Sequence, residues 1–254
     1  MLVDYHVHVL DHEGRHAYTA DRLEEYLVTA LRHGIAEIGL AEHDDRREVI
    51  NWALTGEAQA LHPGVRIRRG MEVEYRPEDE ESTRTLLASL PLDYAIGSVH
   101  FVDGWPFDDP DFESGYVGRD IDHLYEAYYG LLERAVRSRM FDVVGHIDVV
   151  KVFGYRPSGS PLVYAEPVLR AIRDSGMCVE INTAGLHKPV KELYPAAEIL
   201  ARCYAFNIPV TFGSDAHSPE HVGRDITCAM DTARQAGYRR CATFCKRQME
   251  LVDL

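Results

Sequence analysis

The chain has 254 residues, of which 46% are hydrophobic and 27% charged, so it is long enough for one large core and has the composition of a globular protein. Its formal net charge of −14, with no Lys/Arg run beside interleaved aromatics, disfavours nucleic acid as a partner. No apolar stretch is long enough to cross a membrane. The five cysteines form no disulfide framework, and the chain starts on a strand-like segment without a signal-peptide pattern. Both features predict a cytoplasmic location.

Short apolar runs alternate with helix-like segments along the whole chain. The helical patterns fall at 19–33, 46–61, 83–90, 120–138, 164–175, 190–206 and 219–236. Strand-like runs start near 2, 35, 65, 93, 141, 177 and 209. Seven β/α steps at this spacing predict parallel strands joined by right-handed crossovers, in an α/β barrel that forms a single domain over residues 1–254. The final residues fit either an eighth strand or a helix.

Most of the predicted strands end in residues that can bind a metal ion. These residues are His6 and His8, Glu42 and His43, Glu72, His100, His146 and Asp148, Glu180 and Asn182, and Asp215 and His217. In a parallel barrel all of these side chains project from one end, where such folds keep their active sites. The pattern therefore predicts a metalloenzyme. Glu180 and Asn182 are expected to support the ligands by hydrogen bonding rather than to bind an ion.

The i, i+2 spacing of the strand-end pairs strengthens this prediction. Side chains alternate across a strand, so His6 and His8 point to the same side and can chelate one ion. His146-x-Asp148 and Asp215-x-His217 repeat the spacing at two other strands. Imidazoles combined with carboxylates suit Zn, Mn or Fe, and the absence of cysteine among them argues against a structural thiolate site.

Several motifs resemble those of the polymerase and histidinol phosphatase (PHP) superfamily, in order and over essentially the whole chain. They are Asp4-Tyr5-His6-Val7-His8, Ala41-Glu42-His43, Gly70-Met71-Glu72, Gly97-Ser98-Val99-His100, Gly145-His146-Ile147-Asp148 and Gly213-Ser214-Asp215-Ala216-His217. Further stretches resemble the histidinol-phosphatase branch. They are Gly97 to His100 running on to Trp105-Pro106, Lys151 to Tyr155, Asn182 to Leu186, and Lys191 to Pro195.

The resemblance implies a distorted (β/α)7 barrel, similar to a TIM barrel, that holds three divalent ions (Zn, Mn or Fe). The first ion would be bound by His6, His8, Glu72 and Asp215, and Glu72 would bridge it to a second ion bound by His100 and His146. The third ion would be bound by His43, His217 and a histidine of the first loop. The loop offers two histidines: His16 is favoured, because the following Ala-Tyr resembles one branch of the superfamily, and His12 is the alternative.

The reaction implied is hydrolysis of a phosphomonoester, most specifically of L-histidinol phosphate to L-histidinol and phosphate. A water that bridges two ions would be acidified to a hydroxide nucleophile, with Glu72 and Asp215 as the catalytic carboxylates and Asp215 also orienting the nucleophile. Ser98, Lys151, Arg156 and Lys188 are candidate phosphate contacts, although each cation also fits a solvated surface position. Glu13, Asp44 and Asp45 are candidates for the substrate's ammonium or imidazole. The loop 101–118 fits either a substrate lid or a packed surface loop.

Two alternatives stay open at this point. A PHP-type phosphoesterase acting on nucleotides or other small phosphates would keep the same site. A non-catalytic metal-binding module would instead have an incomplete ligand set or no open coordination position. For both the histidinol-phosphatase and the broader phosphoesterase, the expected partner is a small phosphate ester, and neither nucleic acid nor a membrane is expected. The sequence does not specify the oligomeric state.

Overall fold

The structure, a computed structural model, describes residues 1–10 and 17–254. Its strands are β1 (Leu2–Val7), β2 (Ile35–His43), β3 (Arg66–Glu74), β4 (Ile96–Ser98), β5 (Phe101–Val102), β6 (Trp105–Pro106), β7 (Val143–Val144), β8 (Cys178–Asn182), β9 (Val210–Gly213), β10 (Arg240–Cys245) and β11 (Gln248–Asp253). Its α-helices are α1 (Ala20–Arg32), α2 (Trp52–Leu61), α3 (Glu80–Ser89), α4 (Ile121–Ser138), α5 (Leu162–Ser175), α6 (Ala197–Ala205) and α7 (Ile226–Ala236).

Seven of the strands form one parallel sheet in the order β1-β2-β3-β4-β7-β8-β9. The sheet closes where the chain after β9 returns to the end of β1. There the His8 amide donates to the Ala216 carbonyl at 2.8 Å, and Val7 and Ala216 form a parallel bridge. The helices lie around the sheet. The predicted (β/α)7 barrel is therefore confirmed.

Large side chains fill the barrel below the strand ends. The Tyr94 ring lies against Gly39 and Gly70, where any Cβ atom would overlap it, and the Tyr94 hydroxyl donates to the Tyr5 carbonyl at 2.6 Å. Tyr5 and Tyr94 also pack against Phe244 of β10. The hairpin of β10 and β11 therefore covers the bottom of the barrel, which leaves the opposite end for the site.

Several predicted elements differ from the structure, among them the helix at 219–236, in which the α-helix starts only at Ile226. The predicted helix 190–206 is helical only over α6, because Tyr194 pairs with Asn182 of β8 through two backbone hydrogen bonds of 2.7 and 3.1 Å and so holds the preceding chain extended. The final residues form a separate antiparallel hairpin, neither a helix nor an eighth barrel strand. No helix within residues 1–10 and 17–254 is long and apolar enough to cross a membrane.

Candidate metal centre

The histidines and carboxylates at the strand ends converge into three overlapping groups at one end of the barrel. Within each group the candidate ligand atoms lie within 4.8 Å of one another. The groups are His6, His8 and Asp215; Glu72, His100 and His146; and His8, His43 and His217. The structure thus brings together, among the residues it describes, every ligand that the family resemblance implies.

Glu72 lies between the groups and is almost fully buried. Its Oε2 is 3.2 Å from His6 Nε2, 3.5 Å from His8 Nε2 and 3.1 Å from His43 Nδ1. Its Oε1 is 3.0 Å from His146 Nε2 and 3.5 Å from His100 Nε2. Each carboxylate oxygen therefore faces a different set of imidazoles, as a bridging ligand must.

Two carboxylates each orient one imidazole. His6 Nδ1 donates to Glu180 Oε1 at 2.6 Å, which directs Nε2 toward Glu72 and Asp215. His100 Nδ1 donates to Glu74 Oε2 at 2.7 Å, which directs its Nε2 toward Glu72. Such carboxylate–histidine pairs fix the ring and the tautomer of metal ligands. The contacts of Glu180 agree with the supporting role expected for it.

Asp215 lies on a strained turn that a buried network holds. Its φ of 55° is in the left-handed region, which non-glycine residues adopt uncommonly. The preceding Ser214 donates to Asp4 from its amide at 2.9 Å and from its hydroxyl at 2.6 Å, and the Gly223 amide adds a third donor at 2.8 Å. Asp4 therefore fixes the turn that presents Asp215 to His6 and His8.

The buried charges shift the acid–base properties of the site in opposite directions. Burial alone would lower the pKa of His6, but the negative charges of Glu180, Glu72 and Asp215 outweigh it and raise this pKa well above its ordinary value. Burial, with the fields of His217 and His43, lowers the pKa of His8 well below its ordinary value. Burial would raise the pKa of Glu72, yet the neighbouring histidines, His6 first, lower it well below its ordinary value. His8 is thus held neutral and Glu72 ionised, which are the protonation states of metal ligands.

The donor set fits divalent ions. Among residues 1–10 and 17–254, His6 Nε2 and both nitrogens of His8 are buried without a hydrogen-bond partner. Buried polar atoms are ordinarily satisfied, so ring nitrogens without a partner beside carboxylates fit the binding of a divalent cation. Neutral imidazoles with carboxylates and no thiolate match the preferences of Zn, Mn or Fe.

Three predicted residues, His12, Glu13 and His16, lie outside the described residues, so the loop ligand stays a prediction. The chain that leads to this loop is held at its start by Glu42, whose carboxylate accepts from the Val9 amide at 2.6 Å and from the Leu10 amide at 3.3 Å. Burial, opposed by these two amides, raises the pKa of Glu42 to about 8. Glu42 therefore points toward the loop and is absent from the three ligand groups of the described residues.

The prediction that His146 and Asp148 form a pair of metal ligands is wrong for Asp148. Strand β7 ends at Val144, so the period of two does not extend to these residues. Asp148 instead binds Lys151 Nζ at 2.8 Å and accepts from the Ala196 amide at 2.8 Å. It holds the chain after β8 rather than an ion.

The predicted phosphate contacts occupy different environments. Lys151 is 1% exposed and also binds Glu192 and the Leu193 carbonyl, so a phosphate contact would require this network to open. Arg156 binds Glu192 at 2.6 Å. Lys188 is exposed and makes no ion pair within the part of the chain that the structure describes. Ser98 is buried and its hydroxyl donates to Glu72 Oε1 at 2.7 Å, so it orients Glu72.

The predicted acceptors of the substrate's cation also differ in their availability. Asp44 is partly buried, and its Oδ1 accepts from the Glu74 amide at 3.3 Å. Asp45 is exposed and lies 3.8 Å from Arg46.

The loop 101–118 starts as a short hairpin of β5 and β6, continues as a 3-10 helix over Pro110–Tyr116, and is packed by aromatic rings. Trp105 contacts Phe107 and Tyr116, and Tyr116 stacks on Tyr155 at 4.5 Å between ring centroids. This packing returns Asp108 to the site, with Oδ2 4.0 Å from His100 Nε2. Burial raises the pKa of Asp108 above its ordinary value, while His100 and His146 oppose the shift.

The sequence patterns did not indicate Asp4, Glu74 and Asp108 as residues of the site. Asp4 precedes His6 by two residues and Glu74 follows Glu72 by two, so the alternation that paired His6 with His8 also places them on the same faces. Asp108 carried no such signal, because a loop brings it to the site.

The comparisons with known proteins agree with this geometry. The chain matches the PHP domain family over residues 4–184 and the PHP-associated family over residues 197–233. It is 39% identical over 184 residues to a probable histidinol-phosphatase of Deinococcus radiodurans, covering 72% of this chain and 70% of that protein. It is 28% identical over 248 residues to the histidinol-phosphatase of Bacillus subtilis, and the match covers 80% of this chain and 90% of that protein.

Solved structures show the same fold. A histidinol phosphate phosphatase of Lactococcus lactis, crystallised with zinc, L-histidinol and phosphate, superimposes with a TM-score of 0.81 at 21% identity and covers 98% of both chains. A putative histidinol phosphatase of Listeria monocytogenes superimposes with a TM-score of 0.76 at 19% identity, and the match covers 89% of this chain and 99% of that chain.

The chain therefore belongs to the PHP family. Its similarity lies within the histidinol-phosphatase branch, a branch of phosphoric monoester hydrolases, as its motifs predict.

Proposed function

We propose that this protein is a metal-dependent phosphatase that hydrolyses L-histidinol phosphate to L-histidinol and phosphate. The observation that carries the proposal is the position of Glu72, whose two oxygens face separate imidazole clusters at the mouth of the barrel. The relatives named histidinol-phosphatase support the substrate. We further propose a single domain of residues 1–254, acting in the cytoplasm on this small phosphate ester.

The proposed site holds three divalent ions, Zn, Mn or Fe. His6, His8 and Asp215 would bind the first, His100 and His146 the second, and His43, His217 and a loop histidine the third, with Glu72 shared between the first two. Ions bound there would neutralise the phosphate oxygens and acidify a bridging water into the hydroxide nucleophile.

The chain's own residues then set the geometry of the reaction. Glu180 and Glu74 hold the imidazoles of His6 and His100 in fixed orientations, and Ser98 holds Glu72. Asp215 has Oδ1 within 3.8 Å of His6 Nε2 and 3.5 Å of His8 Nε2, a position from which a carboxylate can orient the nucleophile. Lys188 and Arg156 remain the candidates for contact with the outer phosphate oxygens.

The test is phosphate release from L-histidinol phosphate by protein reconstituted with Mn, Zn or Fe, compared with a panel of nucleotide and sugar phosphates. We expect a kcat/KM for histidinol phosphate at least ~100-fold above the panel, and its loss in His8→Ala and Asp215→Asn. If the protein hydrolyses many phosphates without preference and both variants lose this activity, the protein is still a metal-dependent phosphatase, but L-histidinol phosphate is not its specific substrate. Metal-loaded protein that turns over no phosphate would reject the enzyme.

A further inference from the structure

A carboxylate that the ligand scheme does not use lies at the mouth of the centre. Asp108 Oδ2 is 4.0 Å from His100 Nε2, and its side chain is 26% exposed. Within the described residues no lysine or arginine forms an ion pair with it. Its ionisable neighbours are the imidazoles of His100 and His146, so when these bind an ion as neutral ligands the carboxylate is available to a positive group of the substrate.

The position of Asp108 is fixed by the loop around it. The Phe107 amide donates to the His100 carbonyl at 3.2 Å, which brings the chain back beside His100 after the β5–β6 hairpin. The Phe107 ring is fully buried and packs edge-on against Tyr128 at 5.4 Å between centroids. On the far side, Asp109 caps the Asp111 amide at 2.9 Å. The carboxylate is therefore preorganised before any ligand arrives, as a recognition group should be.

Charge complementarity gives this carboxylate a function. A phosphate bound at the metal centre would need no further anion beside it, so a carboxylate there weakens the binding of a plain phosphomonoester. A substrate with an ammonium on the carbon next to the ester carbon would instead bring a cation close to the divalent ions, which repel it. A carboxylate at the mouth offsets that repulsion.

We infer that Asp108 is a specificity-determining residue that binds the ammonium group of a 2-aminoalkyl phosphate. This inference rests on the proposed function and names the part of the substrate that the site selects. Asp108 fits the role better than Asp44, whose Oδ1 accepts from the Glu74 amide, or Asp45, whose side chain is 74% exposed beside Arg46.

The experiment compares substrates that differ only in the amine. Wild type, Asp108→Asn and the control Asp103→Asn are assayed with L-histidinol phosphate and with 3-(imidazol-4-yl)propyl phosphate, which lacks the amine. Asp103 is exposed in the turn of the same hairpin at a φ of 51°, which asparagine tolerates. We expect Asp108→Asn to lower kcat/KM for the amine-bearing substrate by at least ~30-fold, to change the other by less than ~3-fold, and Asp103→Asn to change neither.

Metal content and product binding make the outcome specific. If Asp108→Asn loses kcat/KM equally on both substrates and binds fewer metals per chain, Asp108 is a metal ligand. If the losses are equal and the metal content is full, Asp108 has a role that is independent of the amine. Either result overturns the inference. Calorimetric binding of L-histidinol and of 3-(imidazol-4-yl)propanol to the metal-loaded proteins tests the amine contact without turnover. Suppose that the protein hydrolyses neither ester but binds L-histidinol more tightly than the amine-free alcohol, and that Asp108→Asn abolishes this difference in affinity. That result would reject the proposed function and retain the inference. No such preference in wild type would reject the inference, whatever the turnover.

Discussion

At the scale of single residues, the centre depends on groups that touch the ligands rather than on the ligands alone. Glu180 binds three donors at once, namely His6 Nδ1, the His146 amide and the Asn182 side chain. Its burial leaves no water to replace these bonds. The orientation of the His6 imidazole and the backbone position of His146 thus both depend on one carboxylate.

Glu180→Gln should lower metal affinity about 10- to 100-fold. The glutamine amide has one acceptor oxygen, so it cannot accept from both His6 Nδ1 and the His146 amide as the two carboxylate oxygens do, and the His6 ring loses its fixed tautomer. Metals retained per chain after dialysis against graded chelator would measure this. Glu250→Gln, on the exposed strand β11, serves as the matched control and should retain wild-type metal content. Retention of wild-type affinity by Glu180→Gln would show that burial alone orients His6.

Asp4 links the folding of the site to pH. Burial raises its pKa from 3.8 to about 6, although the donors Ser214 and Gly223 oppose the shift. A folded-state pKa above the unfolded value favours folding while the group is protonated, so this contribution is full below pH 3.8 and is lost as pH rises through about 6.

The stability of wild type relative to Asp4→Asn should therefore increase by about 1.4 kcal/mol when pH is lowered from about 8 to about 5. Urea unfolding of metal-free protein at both pH values would measure the difference, with the exposed Asp253→Asn as control. A wild-type advantage that is constant or smaller at the lower pH would contradict the assignment.

At the scale of elements, the strand ends were predictable and the connections were less so. Local patterns suffice for β2, β3 and the amphipathic helices α1 and α4, because each buries one continuous apolar set. The segment 190–196 fails as a helix because its backbone pairs with β8, a contact far away in sequence. Pro195, which disfavours helical backbone at Tyr194, was the local signal against that helix.

The final hairpin had no strong local signal. Its turn residues, Lys246 and Arg247, both have positive φ, a conformation that usually selects Asn-Gly or Asp-Gly. Tertiary contacts stabilise the hairpin instead: the Phe244 amide donates to the Tyr5 hydroxyl at 2.8 Å, and Thr211 donates to the Ala242 carbonyl at 3.0 Å. The same holds at the site, where spacing at the strand ends predicts the ligands, whereas Asp108 has no local signal because a loop brings it there.

Phe244→Ala should lower the free energy of unfolding by about 3–5 kcal/mol, because its buried ring packs against both Tyr5 and Tyr94 at the bottom of the barrel. Leu251→Ala, on the same hairpin but 42% exposed, should change it by less than about 0.5 kcal/mol. Urea unfolding measures both. Similar small losses in the two variants would mean that the hairpin is not part of the barrel's cooperative core.

At the scale of the whole molecule, an acidic chain concentrates imidazoles at one end of its barrel. The net charge is −14, and three divalent ions would change it to −14 + 6 = −8, with the added positive charge in one place. With those ions bound, an anionic substrate would be attracted locally by a protein that is acidic elsewhere. The barrel supplies the rigid frame, since the ligands come from strands far apart in sequence.

The decisive measurement is a metal titration of chelator-treated protein that records both the ions bound per chain and the phosphate released from L-histidinol phosphate. A trinuclear phosphatase should show negligible activity without metal, a rise in activity that saturates at three bound ions, and both fewer bound ions and no activity in Asp215→Asn. Full activity in metal-free protein, or bound ions with no phosphate release, would contradict it.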